Sequence, residues 1–258
     1  MFAKYLPIKY FPVVFYLSLV DLKKEASQKA IGIIWWLIDP ILNTFIFAFL
    51  LRVVLRGKSE DLVLFIFVGM VIWTWFGTAV SAAMTSISGN KNFITQIYIP
   101  KVILPIRAIL TETLKFGIAL SLLFIVVIWS QTPFLSAVWV LVPLLIIQFT
   151  FILACALATS ALVPFVPELS AIFGFFIRAG FFLSGVFFDI SRVPEQYQFV
   201  VEYNPMARLI QDYRGVFMDG LAPDPFHLWV IFACSLVVIL VALVAHQRLD
   251  YIFPKIVR

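Results

Sequence analysis

Six apolar stretches, roughly residues 33–55, 62–86, 103–129, 138–163, 169–188 and 226–246, occupy most of a 258-residue chain. About 20 helical residues cover the ~30 Å hydrocarbon core of a bilayer, and each stretch is about that long. Backbone amides find no water in lipid, so a spanning chain is either helical or a closed barrel. Barrel strands alternate apolar and polar residues; these runs are continuously apolar, which predicts helices. Hydrophobic residues make up 63% of the sequence and charged residues 13%, where a soluble domain carries about 25% charged residues. The expected fold is an all-α integral membrane protein, one bundle of six transmembrane helices.

The chain carries no engine of its own. No G-x-x-x-x-G-K-[ST] loop is present for ATP, and neither H-E-x-x-H nor G-x-S-x-G occurs. Cys155 and Cys234 fall inside apolar runs and read as packing residues, while His227 and His246 bracket the last run and read as interfacial. The net charge is +5, but no basic run with interleaved aromatics appears. Membrane lipid is the expected partner and nucleic acid is not. No metal or cofactor site is expected on this chain. Such a protein reads as a path, driven from elsewhere.

Basic residues orient membrane helices. Lys4, Lys9, Lys23, Lys24, Lys29, Lys91, Lys101, Arg248, Lys255 and Arg258 fall on one side of the expected bundle; Arg52, Arg56, Lys58, Arg192, Arg208 and Arg214 fall on the other. The excess predicts both termini in the cytoplasm. Residues 10–20 are apolar but too short to span, and no small-residue cleavage site follows as a secretory leader would require. With the following DLKKEASQKA, they read as an interface helix near anionic headgroups.

Two connections are informative. In 87–101, Gly89 and Asn90 break the second span, and NKNFITQIYI forms a short helix before Pro100, a shape that can dock on a soluble subunit. The fifth connection holds two helix-like pieces, 194–203 and 205–217, each expected to start with Pro at its first position, the second capped by Asn204. Met206, Leu209, Ile210, Tyr213, Val216 and Phe217 share one apolar face, with Arg208, Gln211, Asp212 and Arg214 opposite. Re-entrant helices of this kind make an external gate.

Charges inside the spans are costly and should face a cavity or a partner. Asp39 precedes Pro40, Arg178 interrupts a Phe-rich run, and Glu112 and Lys115 can pair on one helix face. Trp35, Trp36, Trp73, Trp75 and Phe76 read as clusters near span ends, and Phe173, Phe175, Phe176, Phe181 and Phe182 crowd the fifth span. Most such rings serve as belts or packing; a subset could stack on sugars in a glycan channel.

The order of these pieces resembles the membrane subunits of ABC-2 type polysaccharide exporters: the O-antigen, capsule and teichoic acid permeases. The resemblance runs through Asp21-Leu22-Lys23, Ser27, Gly32, Trp35 and Pro40; the stretch from Phe65 to Phe76; Asn90, Ile94, Pro100 and Pro105; and Tyr203, Asn204, Pro205, Ile210 and Arg214. Two places depart from the family pattern: Lys24-Glu25-Ala26 replaces a basic, aromatic segment, and Asp39 stands where a neutral residue is usual. Both bear on which glycan is carried.

The resemblance implies an interface helix at 1–31 and a six-helix domain at 32–258. Within the latter, a coupling helix lies at about 88–99 and two external gate helices at about 191–218. It implies a homodimer in the bacterial inner membrane with a pair of cytoplasmic ABC ATPase subunits that hold the ATP and Mg. The cargo would be an undecaprenyl-diphosphate-linked polysaccharide. The implied ATPase contacts are Asn90, Lys91, Asn92, Phe93, Ile94 and Gln96. The implied substrate path is Trp35, Trp36, Asp39, Phe175, Phe176 and Arg178. The implied gate is Tyr197, Tyr203, Asn204, Arg208 and Arg214. A small-molecule or multidrug exporter of the same superfamily is the near alternative. A membrane-embedded transferase using Asp39 or Glu112 is the distant one.

Overall fold

The computed structural model describes residues 10–54, 61–91, 94, 99–190 and 193–256, and every regular element among them is helical. In chain order these are α1 (Phe11–Gln28), α2 (Trp35–Phe49), α3 (Leu62–Gly89), α4 (Ile103–Trp129), α5 (Leu141–Leu162), α6 (Leu169–Leu183), α7 (Glu195–Glu202), α8 (Pro205–Arg214) and α9 (Pro225–Leu249). A one-turn helix, α10 (Phe253–Ile256), follows.

Among the described residues, five helical segments are long and apolar enough to cross a membrane: Gly32–Val53, Leu62–Gly89, Ile103–Trp129, Val138–Leu162 and Pro225–Leu249. α3 is the centre of the bundle. Of its most apolar stretch 78% is buried, against 22–44% in the other four, as its all-round apolar sequence requires. Trp73, Trp75 and Phe76 therefore lie in the core at mid-helix, not at a span end. Trp75 stacks on Phe116 of α4, centroids 4.0 Å apart, and donates 3.2 Å to Thr113.

The fifth apolar stretch, expected over 169–188, forms a 15-residue helix that stops at Leu183. That helix is about 22 Å long, short of a ~30 Å core. The cause is tertiary. Gly185 adopts a left-handed φ of +71°, and Arg214 takes the carbonyls of Gly185 and Val186. α6 runs antiparallel to α3: a Cβ on Gly69 would lie 3.3 Å from Val186, and one on Gly77 would lie 3.4 Å from Ile177.

The bundle has two distinct ends. At one, α8 packs beneath the start of α3, the end of α6 and the first turns of α9. At the other, Phe253 of α10 is wholly buried with Ile87, Ile94 and Leu104, and its ring lies 5.8 Å from that of Phe165, just before α6.

Candidate functional site

Polar chemistry gathers where α1, α2, α3 and α4 meet. Val14, Ser18, Asp21 and Glu25 recur at the 4-3-4 spacing of one helix face, and Ser18, Asp21 and Glu25 all bond to α4. The Ser18 hydroxyl donates to the Arg107 carbonyl (3.1 Å), and Arg107 grips Asp21 with two nitrogens. Glu25 accepts from Lys115 and from Lys29 (3.0 Å), and the Trp36 indole N–H reaches it at 3.4 Å. Lys115 also bonds Glu112 at 2.7 Å. Burial opposes the charge on Glu25, but Lys115 and Lys29 together hold its carboxyl below the usual range. Both ammonium groups sit over the Trp36 ring, at 5.8 and 6.0 Å from its centroid.

Glu25, Lys29, Trp36, Glu112 and Lys115 border a cleft of about 240 Å³, lined further by Trp35, Asp39, Thr74 and Thr78. Asp39 is exposed, with the Asn43 amide 3.3 Å from its carboxylate. The cleft combines an indole face, hydroxyls and carboxylates, a set suited to a polyhydroxylated ligand. A larger groove, about 500 Å³, lies between the starts of α5 and α9 among Trp139, Ile146, Trp229 and Phe232. It carries no charged side chain and offers apolar contact alone.

Of the expected path residues, Trp35, Trp36 and Asp39 share the cleft. Phe175, Phe176 and Arg178 do not; they are exposed on α6. Arg178 follows the residue packed on Gly77, so it stands level with the middle of α3. Among the described residues it has no ion pair.

The expected gate helices form as α7 and α8, although Pro194 precedes α7 as its N-cap. Asn204 caps α8, accepting from Met206 at 3.0 Å and Ala207 at 3.4 Å. The apolar face from Met206 to Phe217 is buried as its spacing requires. The opposite face is not uniformly solvated: Asp212 and Arg214 are buried too. Arg214 donates to Phe65 (3.1 Å), Gly185 (2.7 Å) and Val186 (2.8 Å), which makes it a clasp and not a lining residue. Tyr197 and Tyr203 are exposed, and Arg208 pairs loosely with Glu202. Asp212 lies 2.8 Å from His227. Burial pushes its carboxyl up to about 6, with His227 and Arg208 opposing the shift and Asp224 adding to it.

At the α10 end, α3 stops at Gly89 with Asn90 following, and the Ile94 amide donates to the Asn90 carbonyl. Lys91 is exposed and Ile94 buried; Asn92, Phe93 and Gln96 lie outside the described residues. His246, three residues before the end of α9, is buried, 3.2 Å from Ser160 and 3.1 Å from the Leu157 carbonyl.

From sequence, Glu25 is part of a departure from the family pattern, Lys29 an orienting charge and His227 interfacial; their ion pairs and that of Arg107 are not anticipated there. The 4-3-4 stripe on α1 flags Glu25, and the i,i+4 spacing of Glu25 and Lys29 flags their pair; Arg107 and His227 have partners too remote in sequence for a local pattern.

Residues 14–218 match the family described as ABC-2 type transporter. The O-antigen export system permease protein RfbA of Klebsiella pneumoniae is 24% identical over 237 residues, covering 92% of this chain and 91% of that one. Its namesake in Myxococcus xanthus is 27% identical over 225 residues, 85% of each. The polysialic acid transport protein KpsM of Escherichia coli is 19% identical over 235 residues, covering 90% of this chain and 91% of its own. With four fifths of its length inside the family match, this chain belongs to the ABC-2 type transporter membrane family.

Proposed function

We propose that this chain is the permease subunit of an ATP-driven exporter that carries a lipid-linked polysaccharide, such as an O-antigen or capsule, across the bacterial inner membrane. The observation that carries this reading is similarity along nearly the whole chain to permeases named for O-antigen export and polysialic acid transport. The cleft adds support. Glu25 and Asp39, both in places where this chain departs from the family pattern, line it together with Trp35 and Trp36.

In this reading the subunit works as a homodimer with two cytoplasmic ATPase subunits, which bind ATP and Mg. Segment 88–99 receives their motion, and α7 and α8 close the external mouth, with Tyr197, Tyr203, Asn204 and Arg208 at its rim. Both termini are cytoplasmic, which requires an even number of crossings, one more than the five long segments supply. The stretch from Phe165 to Val186 connects the two ends of the bundle, as α3 does between Phe65 and Ile87, and so supplies the sixth. Arg178, exposed at the level of mid-α3 on an apolar helix, faces a partner subunit or an aqueous path.

Deletion of the gene should leave cells without surface polysaccharide and with lipid-linked polymer accumulating inside; a plasmid copy should restore export. Normal surface glycan with altered drug susceptibility would instead favour the small-molecule exporter.

A further inference from the structure

We propose that α5 and α9 act together as a strut that carries movement between the 88–104 region and α8 at the opposite end of the bundle. The proposal rests on the exporter reading above, in which the first region meets the ATPase and α8 belongs to the external gate.

Like α3, α9 reaches both ends. α9 has 25 residues, about 37 Å of helix. At the α10 end, the Asp250 carboxylate accepts the Lys101 backbone N–H at 2.7 Å, with the Lys101 ammonium 3.9 Å away. Three residues on, Phe253 packs with Ile87, Ile94 and Leu104 at zero exposure. The chain after α9 therefore grips both flanks of the 88–99 segment. At the α8 end, His227 in the first turn of α9 holds the buried Asp212 of α8 at 2.8 Å. Leu228, the next residue, and Ile231, one turn further, belong to the same packed core as Met206 and Leu209 of α8.

The rod between these grips is stiff. Pro and Gly are the usual seats of bends. The span containing α2 has Pro40, α3 has Gly69 and Gly77, and α4 has Gly117; α5 and α9 have neither residue beyond their first turn. α5 and α9 also pack on each other along much of their length. Ala154 and Leu157 of α5 share a buried cluster with Ile239 and Ala242 of α9, and Val102 joins the same cluster from the start of the third span. Lower down, His246 bonds Ser160 and the Leu157 carbonyl. A packed pair of this kind moves as a body instead of deforming.

The test uses the full chain with its ATPase subunit in nanodiscs, with Cys155 and Cys234 replaced by Ala. The exposed Gln211 of α8 is changed to Cys and labelled with an impermeant maleimide, with and without ATP. In the parent complex the labelling rate should change at least about threefold with nucleotide. Asp250→Ala, Phe253→Ala and His227→Ala should each reduce that change to within about 1.5-fold, with ATP hydrolysis retained, and Asp250→Asn should restore most of it. Val237→Gly with Val241→Gly, both on the exposed face of α9, should weaken the response without touching either grip, whereas the paired Ala variants should not. An intact response in folded Asp250→Ala, Phe253→Ala and double-Gly proteins overturns the strut and assigns transmission to α3. Loss of ATPase binding in the Asp250 and Phe253 variants, with a normal response in the double-Gly protein, reduces the tail to a docking brace and also overturns it. A parent complex that does not respond to nucleotide refutes the exporter reading itself.

Discussion

The guanidinium of Arg214 lies 3.4 Å from the ring centroid of Phe65, and its Nε donates 3.1 Å to the carbonyl of that same residue. Its two other nitrogens take the carbonyls that α6 releases at Gly185 and Val186. One side chain thus joins α8, the first turn of α3 and the end of α6. Arg214→Ala leaves buried acceptors without donors and should cost about 3 kcal/mol. Arg214→Lys keeps the charge but loses the planar fork, and should recover less than half of that. Thermal unfolding of the purified protein in detergent measures both.

Gly69 sits against this clasp: a Cβ there would come within 2.7 Å of Arg214 Nη2 and 3.3 Å of Val186. Gly69→Ala should lower stability by about 1–3 kcal/mol. Gly117 of α4 has nothing within 4 Å of the same added atom. Gly117→Ala should be neutral or raise stability by up to about 1 kcal/mol through helix propensity alone. The two melting curves should move in opposite directions or differ clearly in size.

Asp212 confers a pH dependence of known sign. Burial raises its carboxyl from 3.8 to about 6, so the folded protein binds that proton more tightly than the unfolded chain. Stability from this group is therefore full below about 3.8 and is lost as pH rises from there through about 6. Asp212→Asn, which keeps an acceptor for His227, should flatten the change in melting temperature between pH 5 and pH 7.5 relative to the parent. An identical pH profile would remove Asp212 from that role.

Glu25 works in the opposite direction. Lys115 and Lys29 hold its carboxyl below the usual range, so its contribution persists through neutral pH and is lost only as pH falls through that lowered value. Its partner Lys115 is largely buried and shared with Glu112. A double-mutant cycle of Glu25→Gln and Lys115→Met should show coupling of about 1–2 kcal/mol, above the range of surface pairs. In cells, either single change should reduce surface polysaccharide while the protein still inserts.

Much of the local structure was legible in the sequence. Apolar runs without alternation determine helices in lipid. Asn204 before Pro205, with apolar residues at helical spacing, determines α8, its cap and its buried face. Glu112 and Lys115, three apart, determine their own pair. Each of these depends on neighbours within about a turn or two of helix, the range over which sequence spacing is geometry. Only the tertiary structure decided that Trp73, Trp75 and Phe76 lie in the core, that His246 is buried, and that the fifth apolar stretch stops at Leu183. It also brought the α1 acids to Arg107 and Lys115, and gathered Trp35, Trp36 and Asp39 into one cleft that Arg178 does not line. Hydropathy states how much a residue gains by leaving water. It does not state which partner replaces the water, because that depends on the packing of helices far apart in the chain.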